Sequence, residues 1–491
     1  MRSLSVTLLP ITMKRPLPWA AKSSELVLCA MEFNSLFTKS ISSSMEGLGI
    51  QGIPCNSRKM RILLRPDEFY NTLLEECAKA KERIIMSSLY LGTGELEEKL
   101  LQTIAEAMRK NKNLKVQWYL DRGRGCRYVK GNSSAAMLEP LVLEFKERHN
   151  AYFYTPVLSE NLVTQFLPPR WNETLSVYHI KCYLFDNNVF ISGANLSNDY
   201  FTTRIDRYVL FEDCPNLASF YANFFDTLSQ YSSHLSPDTG KLIRFSSSQV
   251  SNAAFRQHVL DLLQYGLSYT RHPDDDVLIF PAFQQEAVNL ITDYSLMKMS
   301  LDIASRFDDV DLFLTSGYVN FPKEVAERLA HYRSTMHFLF AAPQANSFFH
   351  DPGFASVIPS CYNVLQCNFF HMCQAQKADA HFLEYLNKNW TYHSKGLWLL
   401  PKQSNDALVT IGSPNFGMRS YFRDMESQLY MVSESENFRK MFENEASVRF
   451  TDKDTMEVSA ELYDAPERSP PHCPLSDQKV QMFIRMVQGL L

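Results

Sequence analysis

Two short stretches of the sequence each place a histidine and a lysine two positions apart: His179 with Lys181, and His393 with Lys395. Alternate side chains of a β-strand face the same way, so each histidine is expected beside its lysine. An imidazole can attack a phosphodiester near neutral pH, and a fixed ammonium group neutralises the phosphoryl oxygens. One such strand could be an ordinary polar strand. Two copies favour a catalytic pair that acts on phosphate esters.

Further polar residues follow each histidine–lysine pair in a repeated order. Both copies continue to a small-residue turn that contains an asparagine, and both carry a carboxylate eleven residues beyond that asparagine. A carboxylate fixes the tautomer of a catalytic histidine and stabilises its imidazolium form. The candidates are Asp186, Asn195 and Asp206 in the first copy, and Ser413, Asn415 and Glu426 in the second.

The two copies also differ. The turn of the first copy reads Ser-Gly-Ala-Asn, whereas that of the second reads Gly-Ser-Pro-Asn. The second copy has Leu400 where the first has Asp186, and Asp406 lies later, in what the sequence suggests is an enlarged hairpin loop. We do not assign Asp406 to the missing position. The second copy is therefore the degenerate one in this respect.

The surrounding sequence alternates between strand-like and helix-like segments in both halves. Segments 83–90, 114–121 and 151–156 are strand-like and enclose helical patterns at 95–109 and 137–149, and segments 311–319, 323–333 and 336–342 repeat the plan. Hairpins are predicted at 181–192 and 395–412. The stretch SSLYLGTGELEEKL at 87–100 also matches TSGYVNFPKEVAERL at 315–329. These patterns predict two copies of one α/β unit.

The glycines Gly92 and Gly94 could be taken for part of a nucleotide-binding loop. The segment lacks the Gly-Lys-Ser/Thr ending of a P-loop and the third glycine of a dinucleotide motif. A turn from strand to helix is the better interpretation, with a nucleotide-phosphate contact at the helix N-terminus as a secondary hypothesis.

Composition narrows the class of protein. The net charge is −5, which argues against a protein dedicated to coating nucleic acid, and no nucleic-acid partner is expected. No window of eighteen apolar residues predicts a transmembrane helix, so contact with a lipid would be peripheral. Ten scattered cysteines fit a reducing compartment better than a disulfide framework.

The sequence divides into five predicted regions. Residues 1–50 are expected to be a transit peptide or disordered N-terminus, because residues 1–24 carry four basic residues and no acidic one. Residues 51–235 and 276–450 form the two predicted lobes, and residues 236–275 connect them. Residues 451–491 are a predicted tail with an amphipathic helix near 477–490.

The repeated histidine–lysine motif resembles that of the phospholipase D superfamily, His-x-Lys-x4-Asp followed by Gly-Ser-x-Asn. This resemblance implies two α/β/α lobes that share one active site, with His179 as nucleophile and His393 as general acid and base, or the reverse. It implies that Lys181, Lys395, Asn195, Ser413 and Asn415 bind phosphate. It places Asp186 in the catalytic motif and implies no metal or other cofactor.

The residues around the motif narrow the resemblance. The stretches 179–211, 392–426 and 87–97 are similar to the mitochondrial phosphatidylglycerophosphate synthase family of the phospholipase D type. That similarity implies CDP-diacylglycerol and glycerol 3-phosphate as substrates. With the basic N-terminus, it implies peripheral attachment on the matrix side of the inner mitochondrial membrane. Alternatives are a related phosphatidyltransferase, a phosphodiesterase or nuclease that uses water, and a non-catalytic scaffold.

Overall fold

The structure is a computed structural model and describes residues 31, 33–129, 131–156, 176–245, 251–265, 268–351, 354–473 and 475–490. Within this part of the chain, two large mixed sheets contain almost all of the strands, and helices pack against both sheets. The α/β class predicted from the sequence is confirmed. The predicted transit peptide at residues 1–24 lies outside the described residues.

The first sheet has nine strands among the described residues. Its centre is completely buried, because central strands with helices on them have no solvent-facing side. In spatial order the strands are Leu242–Ile243, Ser233–Leu235, His149–Tyr154, Lys115–Asp121, Arg83–Ser88, Cys182–Phe185, Asn188–Ser192, Tyr208–Phe211 and Met60–Leu63.

The second sheet has ten strands among the described residues. Nine follow the order Ile53–Cys55, Val277–Gln285, Glu426–Ser433, Ala407–Gly412, Lys395–Pro401, Val310–Ser316, Met336–Ala341, Ala380–Tyr385 and Thr455–Glu457. The short strand Leu290–Ile291 pairs with Val277–Gln285.

The helices follow the apolar periodicity of the sequence. In Glu95–Lys110, Leu100, Ile104 and Met108 are buried on one face, and acidic residues begin the helix while basic residues end it. In the described ranges the α-helices are Leu36–Gly47, Pro66–Lys79, Glu95–Lys110, Arg122–Gly125, Ser134–Phe145, Asn198–Thr202, Pro215–Ser229, Asn252–Tyr265, Thr292–Ala304, Lys323–Ala330, Val357–Ala375, Met418–Phe422, Glu436–Phe450 and Asp477–Val487.

The repeated plan is visible in the pairing of the strands. Each sheet contains three parallel strands, and the strand that carries or follows the histidine–lysine pair runs antiparallel to the first of them. Cys182–Phe185 pairs with Arg83–Ser88, and Lys395–Pro401 pairs with Val310–Ser316. Both predicted hairpins are confirmed. The two histidine motifs therefore occupy equivalent places in the two sheets.

The N-terminal boundary differs from the prediction. Leu36–Gly47, expected to belong to a transit peptide or disordered segment, forms a helix whose Phe37, Ile41 and Met45 are buried. Thr38 Oγ1 donates a hydrogen bond to Glu434 at 2.6 Å, so this helix is anchored on the second sheet. The strand Ile53–Cys55, expected in the first lobe, also pairs with the second sheet. The chain thus begins its described part on the second lobe.

The C-terminal segment adds to the second lobe. Thr455–Glu457 forms an edge strand of the second sheet, and the predicted amphipathic helix is present at Asp477–Val487. Its Val480 and Ile484 pack on the helix Val357–Ala375. Among the described residues, no helix combines the length and the apolar character needed to cross a bilayer.

Candidate active site

The two histidines lie at a junction where each copy pairs with the other. The backbone N–H of His179 donates to the carbonyl of Met425, and the N–H of His393 donates to the carbonyl of Ile205, both at 2.8 Å. Each of these carbonyls belongs to the residue just before an expected orienting carboxylate. The junction therefore carries the carboxylate of one copy to the histidine of the other.

The side chains confirm this exchange of partners. His179 Nδ1 lies 3.0 Å from both carboxylate oxygens of Glu426, and His393 Nδ1 lies 2.7 Å from Asp206 Oδ2. Both carboxylates were predicted from the sequence, each as the partner of the histidine in its own copy. Glu426 serves the first histidine and Asp206 the second.

Burial sets the charge of the imidazoles. Burial and the nearby Lys181 ammonium lower the pKa of His179 well below its ordinary value. Burial and Lys395 likewise lower the pKa of His393, although Asp206 opposes them. Both imidazoles are therefore neutral at neutral pH. A neutral imidazole whose Nδ1–H donates to a carboxylate keeps a lone pair on Nε2 for attack on an electrophile.

The two carboxylates differ in character. Burial raises the pKa of Glu426 to about 7 against the opposing effect of Lys181. Burial also acts to raise the pKa of Asp206, but Lys395 and His393 outweigh it and lower that pKa to about 2. Asp206 is therefore a permanent anion, whereas Glu426 shares its charge with a proton near neutral pH.

The two lysines are buried, and each donates a hydrogen bond from its ammonium group to a backbone carbonyl. Lys181 Nζ donates to the carbonyl of His179 at 2.8 Å, and Lys395 Nζ donates to the carbonyl of His393 at 2.7 Å. Lys395 Nζ also lies 2.8 Å from His393 Nδ1 and 3.5 Å from Asp206 Oδ2. Burial lowers the pKa of both lysines. The second dyad is thus the more tightly coupled one.

Hydroxyl contacts hold the two motifs in the same way. Tyr178 precedes His179, and its hydroxyl lies 2.6 Å from Ser87 Oγ. Tyr392 precedes His393, and its hydroxyl lies 2.6 Å from Thr315 Oγ1. The matching serine and threonine lie on the equivalent strands Arg83–Ser88 and Val310–Ser316. These contacts support the internal duplication.

A cavity of about 570 Å³ opens over both histidines. Its polar part includes His179, His393, Asn195 and Asn415. Its apolar wall comes from residues of the second lobe and the C-terminal helix, namely Phe348, Phe354, Val357, Ile358, Phe483 and Val487. The cavity therefore suits a ligand with a phosphate-bearing part and an apolar part.

Two of the predicted phosphate ligands face this cavity. Asn195 Oδ1 accepts from Ser88 Oγ and from the N–H of Leu89, both at 3.4 Å, which turns the amide –NH2 group away from these contacts. Asn415 Oδ1 is buried and has no hydrogen-bond partner among the described residues. Side-chain amides of this kind can donate to phosphoryl oxygens.

Ser413 does not face the cavity with Asn195 and Asn415. Its hydroxyl donates to the carbonyl of Ser427 at 3.3 Å and accepts from the N–H of Ser427 at 3.1 Å. Its side chain is buried behind the strand that carries Glu426 and does not line the cavity. The prediction that Ser413 binds phosphate is corrected: this hydroxyl supports the strand of Glu426.

Asp186 is also remote from the histidines. It lies in the turn after Cys182–Phe185, at the end of that strand opposite to Lys181. Its carboxylate accepts from the backbone N–H groups of Lys81, Glu82 and Arg83 at 2.8–3.0 Å. The inclusion of Asp186 among the catalytic residues is therefore corrected. It fixes the start of the neighbouring strand.

The glycines Gly92 and Gly94 do not form a phosphate site. The Glu97 carboxylate accepts from the N–H of Gly94 at 3.0 Å, and it lies so near Gly92 that an added Cβ would be 2.3 Å from its oxygen. The same carboxylate accepts from Asn198 N at 2.6 Å. The helix N-terminus is thus already occupied by an anion of the protein, and the secondary hypothesis of a nucleotide contact is wrong.

Gly193 explains the unusual turn of the first copy. It stands where the second copy has Ser413, and an added Cβ would lie 2.5 Å from Asp206 Oδ1 and 2.7 Å from Lys395 Nζ. Only glycine leaves room for the close approach of this carboxylate and ammonium. The departure from the motif is therefore coupled to the second dyad.

Two aromatic residues that were not predicted as site residues enclose His393. The Tyr200 and Tyr318 rings meet the imidazole edge-on with centroids 5.3 and 5.5 Å away, and the Tyr200 hydroxyl lies 3.5 Å from His393 Nε2. Tyr200 follows the first motif closely in sequence, whereas Tyr318 lies in the matched segment of the second half. Aromatic residues are common here, so their type alone gave no signal.

A buried ion network that was not predicted from the sequence lies beneath the second dyad. Arg207 forms two hydrogen bonds with Glu445 at 2.9 and 2.7 Å and donates to the carbonyls of Lys395 and Thr410. Arg449 donates to the carbonyl of Asp206 at 3.1 Å. These contacts fix the backbone on both sides of the Asp206–His393 pair.

The sequence and the fold of the chain are similar to those of known proteins. The Gallus gallus mitochondrial CDP-diacylglycerol–glycerol-3-phosphate 3-phosphatidyltransferase is 33% identical over 481 residues, which cover 89% of this chain and 83% of the relative. A protein of the same enzyme name from Saccharomyces pastorianus is 29% identical over 469 residues, which cover 87% of this chain and 88% of the relative.

The chain belongs to the CDP-diacylglycerol–glycerol-3-phosphate 3-phosphatidyltransferase family. No family model matches it. The crystal structure of phosphatidylserine synthase from Haemophilus influenzae is similar in fold, with a TM-score of 0.73 and 18% identity, and the match covers 92% of this chain and 100% of that one. Membership of this family and the structural likeness confirm the resemblance found in the sequence. The paired-histidine junction is the candidate active site of this family member.

Proposed function

We propose that the chain transfers the phosphatidyl group of CDP-diacylglycerol to glycerol 3-phosphate and releases CMP, giving phosphatidylglycerophosphate. The observation that carries the proposal is the pair of buried histidines, each hydrogen-bonded to a carboxylate of the other copy, below a cavity with a polar and an apolar part. Its membership of the family named above supports the choice of substrates.

In the first half-reaction, His179 Nε2 attacks the phosphatidyl phosphorus. The bond from this phosphorus to the oxygen of CMP breaks, and His393, which takes up a second proton when the anionic substrate binds, gives its Nε2 proton to that oxygen. Two features favour this assignment: His179 Nδ1 faces the two oxygens of Glu426, whereas His393 Nδ1 is shared by Asp206 and Lys395. A permanent anion beside His393 stabilises its imidazolium form, as an acid–base catalyst requires.

In the second half-reaction, His393 takes the proton of the sn-1 hydroxyl of glycerol 3-phosphate. The resulting oxygen attacks the phosphorus, the phosphorus–nitrogen bond breaks, and His179 is restored. Lys181 and Lys395 lie beside the two histidines and offset the negative charge that develops on the phosphoryl oxygens. Asn195 and Asn415 add donors at the rim of the reacting group.

The apolar wall of the cavity supports peripheral contact with a membrane. Phe354 is 55% exposed and its ring meets that of Phe483 with centroids 5.3 Å apart, where the wall reaches the surface. A lipid substrate could then pass its acyl chains along this wall without leaving an apolar environment. We propose that this rim rests on the matrix side of the inner mitochondrial membrane.

An acceptor panel tests the proposed reaction. Purified full-length protein receives CDP-diacylglycerol in liposomes with glycerol 3-phosphate, serine, phosphatidylglycerol or water, and CMP release is followed. CMP release that depends on glycerol 3-phosphate supports the proposal, and both His179→Ala and His393→Ala should abolish turnover. Release that depends on serine, or that needs no acceptor beyond water, would refute it in favour of a related transferase or a phosphodiesterase.

Liposome flotation tests the membrane contact. Phe354→Asp should reduce binding to cardiolipin-containing liposomes. Ile243→Asp, at an exposed apolar residue on the edge of the first sheet, is the matched control and should bind normally. Equal flotation of both variants would contradict the proposed rim.

A further inference from the structure

The two copies carry an ion pair at matching positions with the charges exchanged. Two residues before the orienting carboxylate, the first copy has Arg204 and the second has Asp424. Seven residues before it, the first copy has Asp199 and the second has Arg419. The internal duplication thus places an arginine of each copy beside the cavity in a different chemical setting.

The second pair is close and buried. Arg419 Nε donates to Asp424 Oδ2 at 2.7 Å, and the Asp424 side chain is 5% exposed. Asp424 Oδ1 also accepts from the N–H of Val177 at 2.8 Å. The charge of this arginine is therefore balanced by a carboxylate of the protein.

In the first pair the two charged groups are farther apart, and the carboxylate is exposed to solvent. The side chain of Arg204 is 12% exposed, yet its ion-pair partner Asp199 is 3.9 Å away and 64% exposed to solvent. Water screens a contact of that kind, so it offsets little of the cation's charge. Arg204 therefore directs a largely uncompensated positive charge toward the cavity.

Arg204 also lies next to the proposed acid–base catalyst. Its Nε donates to Thr391 Oγ1 at 3.0 Å, two residues before His393. Its guanidinium lies 4.7 Å from the centroid of the Tyr200 ring, and the Tyr200 hydroxyl is 3.5 Å from His393 Nε2. An anion bound by Arg204 would hold its neighbouring atoms near that imidazole.

We propose that Arg204 binds the phosphate of the acceptor and so selects a phosphorylated alcohol over an unphosphorylated one. The inference rests on the proposed function. In glycerol 3-phosphate, a three-carbon chain separates the phosphate from the reacting hydroxyl, so a phosphate on Arg204 leaves the hydroxyl to approach His393 Nε2. The planar guanidinium can donate two parallel hydrogen bonds to a phosphate, which a single ammonium cannot do.

The test compares two acceptors that differ only in the phosphate. For Arg204→Gln, kcat/KM for glycerol 3-phosphate should fall about 10- to 100-fold, the usual effect of losing a charged hydrogen-bonding group. Transfer to glycerol, measured at high concentration, should stay within about twofold because it needs no phosphate contact. Arg204→Lys should give an intermediate loss, since it keeps the charge and loses the fork.

Arg124→Gln is the matched control. Arg124 lines the same cavity and lies 4.9 Å from the Tyr90 ring centroid, away from the Thr391 contact. This variant should keep the preference for glycerol 3-phosphate over glycerol.

Three results would overturn the inference: an unchanged kcat/KM for glycerol 3-phosphate in Arg204→Gln, an equal loss with both acceptors, or loss of the preference in Arg124→Gln instead. Equal loss would assign Arg204 a structural role at Tyr200 and Thr391. If the unchanged protein does not use glycerol 3-phosphate at all, the proposed function itself fails, which is a different outcome.

Discussion

Replacing Asp206 by asparagine perturbs one histidine of the pair selectively. The variant keeps the size of the side chain but removes the negative charge 2.7 Å from His393 Nδ1. Burial opposes that charge, yet Lys395 and His393 lower the pKa of Asp206 from 3.8 to about 2. Because a tenfold change in an acid constant is about 1.4 kcal/mol, the folded site favours the carboxylate by about 2.5 kcal/mol.

This charge sets the expected loss of activity. Without it no anion stabilises the imidazolium form of His393, and an acid–base catalyst of this kind contributes about 10²- to 10⁴-fold to the rate. Asparagine also fails to hold the correct imidazole tautomer, which can bring the loss to about 10⁴-fold. We therefore expect kcat with CDP-diacylglycerol to fall by about 10²- to 10⁴-fold.

A substrate with a better leaving group separates the roles of the two carboxylates. A phosphatidyl ester of p-nitrophenol needs no protonation of its leaving group, so Asp206→Asn should still release a burst of about one p-nitrophenolate per site. Glu426→Gln, the matched variant beside His179, should lose this burst. A burst retained by Glu426→Gln and lost by Asp206→Asn would show that the roles are reversed, and equal loss in both would refute the division of roles.

Three further changes test other parts of the structure. Gly193→Ala should lower kcat about tenfold or more because its methyl group would meet the Asp206 carboxylate at 2.5 Å. Gly47→Ala, where an added Cβ meets no described atom within 4 Å, should stay near normal, and equal steady-state rates for the two variants would contradict this. Glu445→Gln leaves a buried guanidinium without its anion and should lower the free energy of unfolding by about 3–5 kcal/mol in urea titrations; a loss below about 1 kcal/mol would contradict the buried network. Burial raises the pKa of Asp293 from 3.8 to about 7, so the unchanged protein loses stability as the pH rises from 3.8 through about 7. The unfolding free energy of Asp293→Asn relative to that of the unchanged protein should therefore rise by about 2–3 kcal/mol between pH 5 and pH 8. A difference that does not change with pH would contradict this.

The chemistry of the site could be predicted because it follows local rules. Strand alternation places His179 beside Lys181, and the second copy repeats the pattern in sequence. The carboxylates Asp206 and Glu426 were found from their equal spacing. Their exchange of partners could not be predicted, because it depends on how the backbone of Met425 meets that of His179.

Other outcomes depended on contacts between distant residues. Arg207 and Glu445 are 238 positions apart, so no local pattern could pair them. Ser413 fits the phosphate-binding turn by type, but its hydroxyl is taken by the backbone of an adjacent strand. A motif gives the residue type at a position, but it does not show which group in the fold forms a hydrogen bond with that side chain.

Two of the corrections could have been made from the sequence. Glu97 lies three residues after Gly94, the spacing at which an acidic side chain caps the start of its own helix. Ser35 precedes an apolar series at Phe37, Ile41 and Met45 with helical spacing, which indicates a capped amphipathic helix. Because residues 1–24 are basic, the N-terminal tail was predicted to extend to residue 50, which wrongly included the helix Leu36–Gly47.

The most direct test of the account is to identify the covalent intermediate. Full-length protein is mixed with CDP-diacylglycerol without acceptor, quenched under alkaline conditions that preserve phosphohistidine, digested, and mapped by mass spectrometry. The account predicts a phosphatidyl group on the peptide that contains His179, which disappears when glycerol 3-phosphate is added before the quench. An adduct on His393, or CMP release with no adduct on either histidine, would contradict it.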